Sequence, residues 1–362
     1  MESKIQKGYL LLADISGYTS FLATTEIEHS QEILSEFLNI IIEKLRSVFT
    51  LAEVEGDAVF VYTPESRINR GETLLEVIED TYFTFVQQKD IMNAKTTCQC
   101  NACRQIPNLD LKFITVYGDY IIQNVAGSSK PVGSDVNLAH RLLKNKVADS
   151  TGWNGYALFT DKTLERITVA TVGYNNQVEN YEHLGDVNTY SYNLKGTLDK
   201  IAKQKDILVK EDEAHVHKFY DFDFSPAELW EILHDNSRRG EWMVGTRWEK
   251  GSRIEGRTAV GAKNHCFHGK GGKGSSVEEI IAWKPFEYYT CRQKHGVLTL
   301  LMTFILEPRG SGTRIHNYSV IHALLPNFIR KILTIYGEKK KAKFDECWAN
   351  IDNILKKDGK AV

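Results

Sequence analysis

The stretch ADISGYTSFL, residues 13 to 22, ends an apolar run on a carboxylate. Asp14 closes Tyr9-Leu10-Leu11-Leu12-Ala13, and Gly17 lies three residues on. An acid there either caps a helix N-terminus or offers a hard oxygen ligand at a strand's carboxyl end. A second acid, Asp57, follows Gly56 in LAEVEGDAVFVYT, where it suits a hairpin turn or a cation. Asn137 and Arg141 in SDVNLAHRLLKN are four apart and share one helix face, solvated or functional. Three thiols, Cys98, Cys100 and Cys103, crowd into CQCNACR. Such a cluster can bind zinc, carry redox or iron–sulfur chemistry, or stand free in a loop. A four-coordinate zinc site needs another ligand, from His or Cys elsewhere or from a partner chain. In NHCFHGKGGKG, a strand sets Asn264, Cys266 and His268 on one face and His265 on the other. These are polar hooks in a cavity or part of a solvated hairpin. The Gly-Lys repeat lacks the spacing of a P-loop.

The elements that hold these residues follow from hydrophobic period. Tyr9 to Asp14 reads as a strand. Ile33, Phe37, Leu38, Ile41, Ile42 and Leu45 form one helical face. LAEVEGDAVFVYT reads as a hairpin turning at Gly56-Asp57, and GETLLEVIEDTYFTFVQQ as a second amphipathic helix. LKFITVYGDYIIQNVAG reads as two strands around Gly118, SDVNLAHRLLKN as a helix and GYALFT as a strand. Strand, helix, hairpin, helix, strand is the ferredoxin-like theme with additions. Residues 195–214 are polar and charged and read as a linker. Beyond it, Ser225-Pro226 opens an amphipathic helix. Several strands follow, with turns at Pro285, Gly310 and Gly312, and then a long helix. The apolar face of that helix includes Ile332, Ile335, Phe344, Trp348, Ile351 and Leu355.

The 362 residues suffice for two or three domains. A formal net charge of −2 implies no general polyanion-binding surface, so nucleic acid is not an expected partner. No apolar run reaches the roughly 20 residues of a membrane span. The N-terminus does not read as a signal peptide. Six clustered rather than spread cysteines argue against a disulfide framework. A cytoplasmic protein is expected.

Asp-Ile-x-Gly-Tyr-Thr at Asp14 to Thr19, Gly56-Asp57 in a hairpin, and Val-Asn-x-Ala-x-Arg at Val136 to Arg141 together resemble the class III nucleotidyl cyclase catalytic domain. The resemblance spans residues 7–194. It implies an α+β fold and closure of GTP or ATP to a cyclic nucleotide with loss of pyrophosphate. Two Mg2+ or Mn2+ ions would serve this step. By the same resemblance, Asp14, Asp57 and the Ile15 carbonyl hold metal, while Gly17, Tyr18 and Thr19 lie against the phosphates. Asn137 orients the ribose and Arg141 stabilises charge on the α-phosphate. Those two residues usually serve the partner subunit's metals, so a homodimer is implied. Glu53, four before Asp57, stands where guanylate cyclases carry an acid, and a carboxylate accepts from the guanine edge. Lys130, seven before Asn137, is unusual for either class: it donates to guanine O6 or pairs with Glu53 and closes the pocket. The segment YEHLGDVNTYSYNL lacks the basic turn of many cyclases, being cut to Gly185-Asp186-Val187-Asn188 with no lysine.

Residues 215–358 resemble the START-like (polyketide cyclase and lipid-transport) superfamily through their order of elements and the start SPAELWEIL. That implies a helix-grip fold around an apolar cavity for a small hydrophobic ligand. Two readings stand. One is a signalling cyclase regulated by that ligand; the other is a degenerate cyclase fold used as a dimeric binding or carrier module.

Overall fold

The computed structural model describes residues 4–95, 98, 100–125, 127–202, 206–268, 274–295, 298–323 and 341–359. The chain divides into two compact units, Met1–Lys203 and Gln204–Val362. No described helix is long and apolar enough to cross a membrane.

The first unit begins with β1 (Gln6–Ser16), then α1 (Tyr18–Thr24), α2 (Ile27–Leu45), β2 (Thr50–Glu55), β3 (Ala58–Pro64) and α3 (Glu72–Lys95). It continues with α4 (Asn101–Gln105), β4 (Asp110–Val125), β5 (Ser128–Val132), α5 (Ser134–Leu142), α6 (Val147–Thr151) and β6 (Tyr156–Thr160). It closes with α7 (Asp161–Ile167), β7 (Asn175–Tyr181), β8 (Gly185–Asn193) and α8 (Leu194–Ala202). The sheet order is β2-β3-β1-β4-β6-β8-β7, with β5 paired to β4. Its first four strands each run antiparallel to their neighbours and have the ferredoxin-like order, so the fold is α+β as the pattern predicts. Only β4 and β6 pair in parallel among these described strands.

Every residue from Tyr9 to Ala13 is buried, so β1 is covered on both faces and reads as a continuous apolar run. Leu10 and Leu12 pack with Val136, Ala139 and Leu142 of α5. Successive residues of a strand alternate, so Tyr9, Leu11 and Ala13 serve the opposite face. The helical face expected on α2 is observed, with Ile33, Phe37, Ile41 and Leu45 buried and Leu38 and Ile42 at its margin.

Two expectations change. β4 is one strand through Gly118, which pairs in register with Gly8; the glycine is needed because the Asp135 side chain fills the space a Cβ would take. The hairpin lies further on, at Gly127 between β4 and β5. Nor is α3 one-sided: it is buried all round from Glu72 to Tyr82. Its acids are paired there: Arg70 with Glu72 and Glu76 (each 3.1 Å), Lys44 with Asp80 (3.0 Å), and the Tyr192 hydroxyl with Glu79 (2.9 Å).

The second unit contains β9 (Val216–Phe222), α9 (Pro226–His234), α10 (Arg239–Trp242), β10 (Thr246–Lys250), β11 (Lys263–His268) and β12 (Gly274–Lys284). β13 (Tyr288–His295), β14 (Leu298–Arg309), β15 (Gly312–Ala323) and α11 (Lys341–Gly359) complete it. All seven strands are antiparallel, in the order β10-β11-β12-β13-β14-β15-β9. Ser225 caps α9 through a reciprocal box with Glu228, and Pro226 needs no donor at that position. On α11, Trp348 and Ile351 are buried, and Trp348 meets Phe222 and Phe304 edge-on. Ile332 and Ile335 lie outside the described residues, as does the Phe344 side chain.

Candidate functional site

The end of β1 brings Asp14 between two neighbours. In register it faces Ala58 on β3 and Lys112 on β4. The next residue, Ile15, donates its N–H to the Asp57 carbonyl at 3.3 Å. Asp57 is therefore fixed beside Asp14 by the β2–β3 turn, whose Gly56 has φ +63°. Burial pushes the Asp57 carboxyl up to about 6, and the Asp14 charge adds to that shift. Asp14 itself accepts from Lys112 Nζ at 3.0 Å, and the same ammonium donates to the Leu143 carbonyl at 3.3 Å. Lys112 is a member of the site that the sequence pattern misses: it is one more side chain on an alternating strand.

The residue ahead of α1 is Gly17, not Asp14, so Asp14 is not a helix cap. Gly17 has φ +87°, and a Cβ there would stand 3.1 Å from the Asn108 carbonyl. Tyr18 is half-buried, and burial with the Asp57 charge holds its phenol above the usual value. Thr19 is exposed.

Glu53 on β2 and Lys130 on β5 form an ion pair, the closed one of the two arrangements open to them. Asn137 and Arg141 are both exposed on α5, opposite its buried Val136, Ala139 and Leu142. Neither makes a side-chain hydrogen bond or ion pair among the described residues. Gly185 to Asn188 belong to β8; the turn before it is Glu182-His183-Leu184, with His183 at φ +69°. Near the end of β1, Ser16 Oγ donates to the Asn154 carbonyl at 2.9 Å. A cleft of about 220 Å3 there is lined by Asp110, Trp153, Asn154, Lys195 and Asp199, none of them singled out by motif.

Cys98, Cys100 and Cys103 gather around His29, from the first turns of α2. The four ligand atoms lie within 4.8 Å of one another. His29 Nδ1 is 3.3 Å from Cys100 Sγ and 3.9 Å from Cys98 Sγ. The backbone N–H of Cys103 and the His29 ring lower the Cys100 thiol to about 6. His29 is 69 residues from Cys98 in sequence, so no spacing rule could find it.

In the second unit, Asn264 and Cys266 point inward and His268 is half-buried at the end of β11. Asn264 is not a free hook. It donates to Glu278 at 2.8 Å and accepts from Asn236 at 2.7 Å and Arg253 at 2.5 Å. Glu278 also pairs with Arg239 at 2.7 Å, both side chains being buried. Arg239 stacks 4.5 Å over Trp248 and donates to the Leu233 carbonyl. Burial works against the Arg239 charge, but its neighbours, Glu278 foremost, offset it, and its pKa stays above the ordinary value. Burial pushes the Cys266 thiol up.

Comparison with known proteins matches residues 34–151 to a family described as a protein of unknown function (DUF2652). Residues 213–344 match a family described as polyketide cyclase / dehydrase and lipid transport. Uncharacterized protein Rv2561/Rv2562 of Mycobacterium tuberculosis is 29% identical over 128 residues, 35% of this chain and 57% of that protein. The match thus spans little more than half of that relative's length. Among solved structures, a bacterial light-regulated adenylyl cyclase is similar at 12% identity and a TM-score of 0.41, over 54% of each chain. The guanylyl cyclase Cya2 is similar at 16% identity and a TM-score of 0.41, over 53% of this chain and 93% of that one. The adenylyl cyclase CyaB from P. aeruginosa gives 17% identity and 0.37, over 53% and 95%.

Proposed function

We propose that the first unit is one half of a purine nucleotide cyclase, completed by a second copy of the chain. The observation that carries this reading is the placement of Asp14 and Asp57 side by side at the ends of adjacent strands. The exposed pair Asn137 and Arg141, with no partner in their own chain among the described residues, supports it. Two carboxylates and the Ile15 carbonyl are hard oxygen donors of the kind magnesium or manganese takes. Bound by Asp14, Asp57 and Ile15, the cation would neutralise the triphosphate. Gly17 lets the backbone run close to phosphate oxygens, because no Cβ intervenes. Arg141 of one copy supplies a permanently charged fork toward the α-phosphate held by the other, and Asn137 orients the ribose. Glu53 accepts from the guanine edge once Lys130 turns aside, or the Glu53–Lys130 pair reads guanine jointly.

The second unit takes a small hydrophobic ligand in this reading, supported by its match to the lipid-transport family. Ligand binding there regulates the cyclase, and the protein works in the cytoplasm.

A second reading has its own observation. Lys112 sits on Asp14 and Lys130 on Glu53, so three of the five charged site residues, Asp14, Glu53 and Lys130, are paired within the chain. A nucleotide-free dimerising scaffold beside a ligand carrier fits that arrangement. Product formation from GTP and from ATP, with magnesium or manganese, separates the two. The expected result is metal-dependent cyclic GMP that disappears in Asp14→Ala. Cyclic AMP would retain the cyclase and discard the role of Glu53. No product from a folded, dimeric protein would leave the scaffold.

A further inference from the structure

We propose that His29, Cys98, Cys100 and Cys103 form a structural zinc site that pins the start of α2 to the segment leading into β4. The inference is independent of the cyclase reading, since none of these residues belongs to the Asp14–Asp57 site.

The donor set is the first argument. Three thiolate sulfurs and one imidazole nitrogen are a complete tetrahedral shell for zinc, which has no preference beyond that geometry. The shell leaves no open position, as in structural rather than catalytic sites.

The distances are the second. Zinc bonds of about 2.3 Å to sulfur and about 2.0 Å to nitrogen set tetrahedral edges of roughly 3.8 Å between sulfurs and roughly 3.6 Å between sulfur and nitrogen. The two sulfur–nitrogen separations to His29, 3.3 and 3.9 Å, bracket that value. All four atoms fit within 4.8 Å.

The backbone is the third. The Cys100 N–H points at Cys98 Sγ and the Cys103 N–H at Cys100 Sγ, each at 3.5 Å. Such N–H groups favour thiolate over thiol, as a metal site needs. Glu26 anchors the same turn from α2's side, accepting from the N–H groups of Asn101 (3.4 Å) and Ala102 (3.2 Å). These outer bonds hold the ligand-bearing loop to the ligand-bearing helix.

The energetics give the site a purpose. α1 and α4 are short, at seven and five residues. Cys98 is exposed and Cys103 buried, so the cluster runs from solvent to core. A short polar connection of this kind gains little from burial, and a metal cross-link supplies the order instead.

The test is metal analysis of the full-length protein, purified under reducing conditions without a histidine tag. About one zinc per chain is expected. His29→Ala and Cys100→Ser are expected to weaken zinc binding at least about a hundredfold, measured by competition with a chromogenic chelator. Cobalt in place of zinc is expected to give the visible bands of a tetrahedral thiolate site, shifted in His29→Cys. Chelation should speed amide exchange in Asn101–Gln105 and at the start of α2 while the core strands stay protected. Should Cys100→Ser fail to fold, His29→Ala and the exposed Cys98→Ser carry the same comparison. A reduced wild type that retains no zinc overturns the proposal. So does zinc held equally by His29→Ala, bound iron in its place, or a disulfide among the three thiols in reductant-purified protein.

Discussion

The polar cluster at the end of β1 and the one on β11 are built from similar parts and end in opposite states. In the second unit, buried Glu278 meets Arg239 and Asn264, and Asn236 and Arg253 complete the set. At its centre one carboxylate and one guanidinium, Glu278 and Arg239, cancel, and the Asn264 amide both donates and accepts. In the first unit, two acids, Asp14 and Asp57, face one ammonium, Lys112. Burial, with the Asp14 charge adding to it, pushes the Asp57 carboxyl up to about 6. A satisfied buried network fixes a fold; an excess of one charge in a half-buried site is what a ligand of opposite charge relieves.

Breaking the balanced cluster is expected to have the largest effect. Arg239→Met leaves Glu278 buried without its cation and should cost about 3–5 kcal/mol in urea unfolding of the second unit. The double change Arg239→Met with Glu278→Met should recover most of that loss. A single change costing no more than an ordinary surface substitution would remove the contrast.

Easing the unbalanced cluster is expected to work the other way. The folded pKa of Asp57, about 6, lies above its ordinary value of 3.8. The folded state therefore binds the proton more tightly. That contribution is fully present below pH 3.8 and is lost as pH rises through about 6. Asp57→Asn should then stabilise metal-free protein at pH 7 by on the order of 1 kcal/mol after allowance for solvent screening, read as a higher melting temperature. The gain should vanish near pH 4. A lower melting temperature at pH 7 would mean the cluster is a structural one like that around Glu278.

The smallest effect is expected at the Glu53–Lys130 pair, which is partly exposed. Lys130→Ala should change stability by less than about 1 kcal/mol. It should nonetheless enlarge the thermal shift produced by GTP with magnesium, since it opens Glu53. A smaller shift would mean that the Glu53–Lys130 pair reads guanine jointly, and an unchanged one that Glu53 does not face the nucleotide.

Sequence alone determined the strands and helices with a strong period, and hence the α+β class of both halves. The apolar run Tyr9–Ala13 and the spacing of Ile33, Phe37, Ile41 and Leu45 could hardly bury themselves otherwise. It also placed Asp14 near the carboxyl end of a strand and Asp57 at a hairpin turn. It misread β4 as two strands because glycine breaks a pattern only where the backbone turns, and at Gly118 the Asp135 side chain fills the vacant space instead. It left Asn264 open between a hook and a solvated hairpin, because partners 14 and 28 residues away decide whether an amide is free. Lys112 and His29 were invisible for the same reason. Their roles are set by register across β1 and β4 and by the packing of α2 beside α4, and both are long-range facts. Local period writes the elements into the chain. The charge that meets Asp14, and the imidazole that meets three thiols, are decided only when those elements pack.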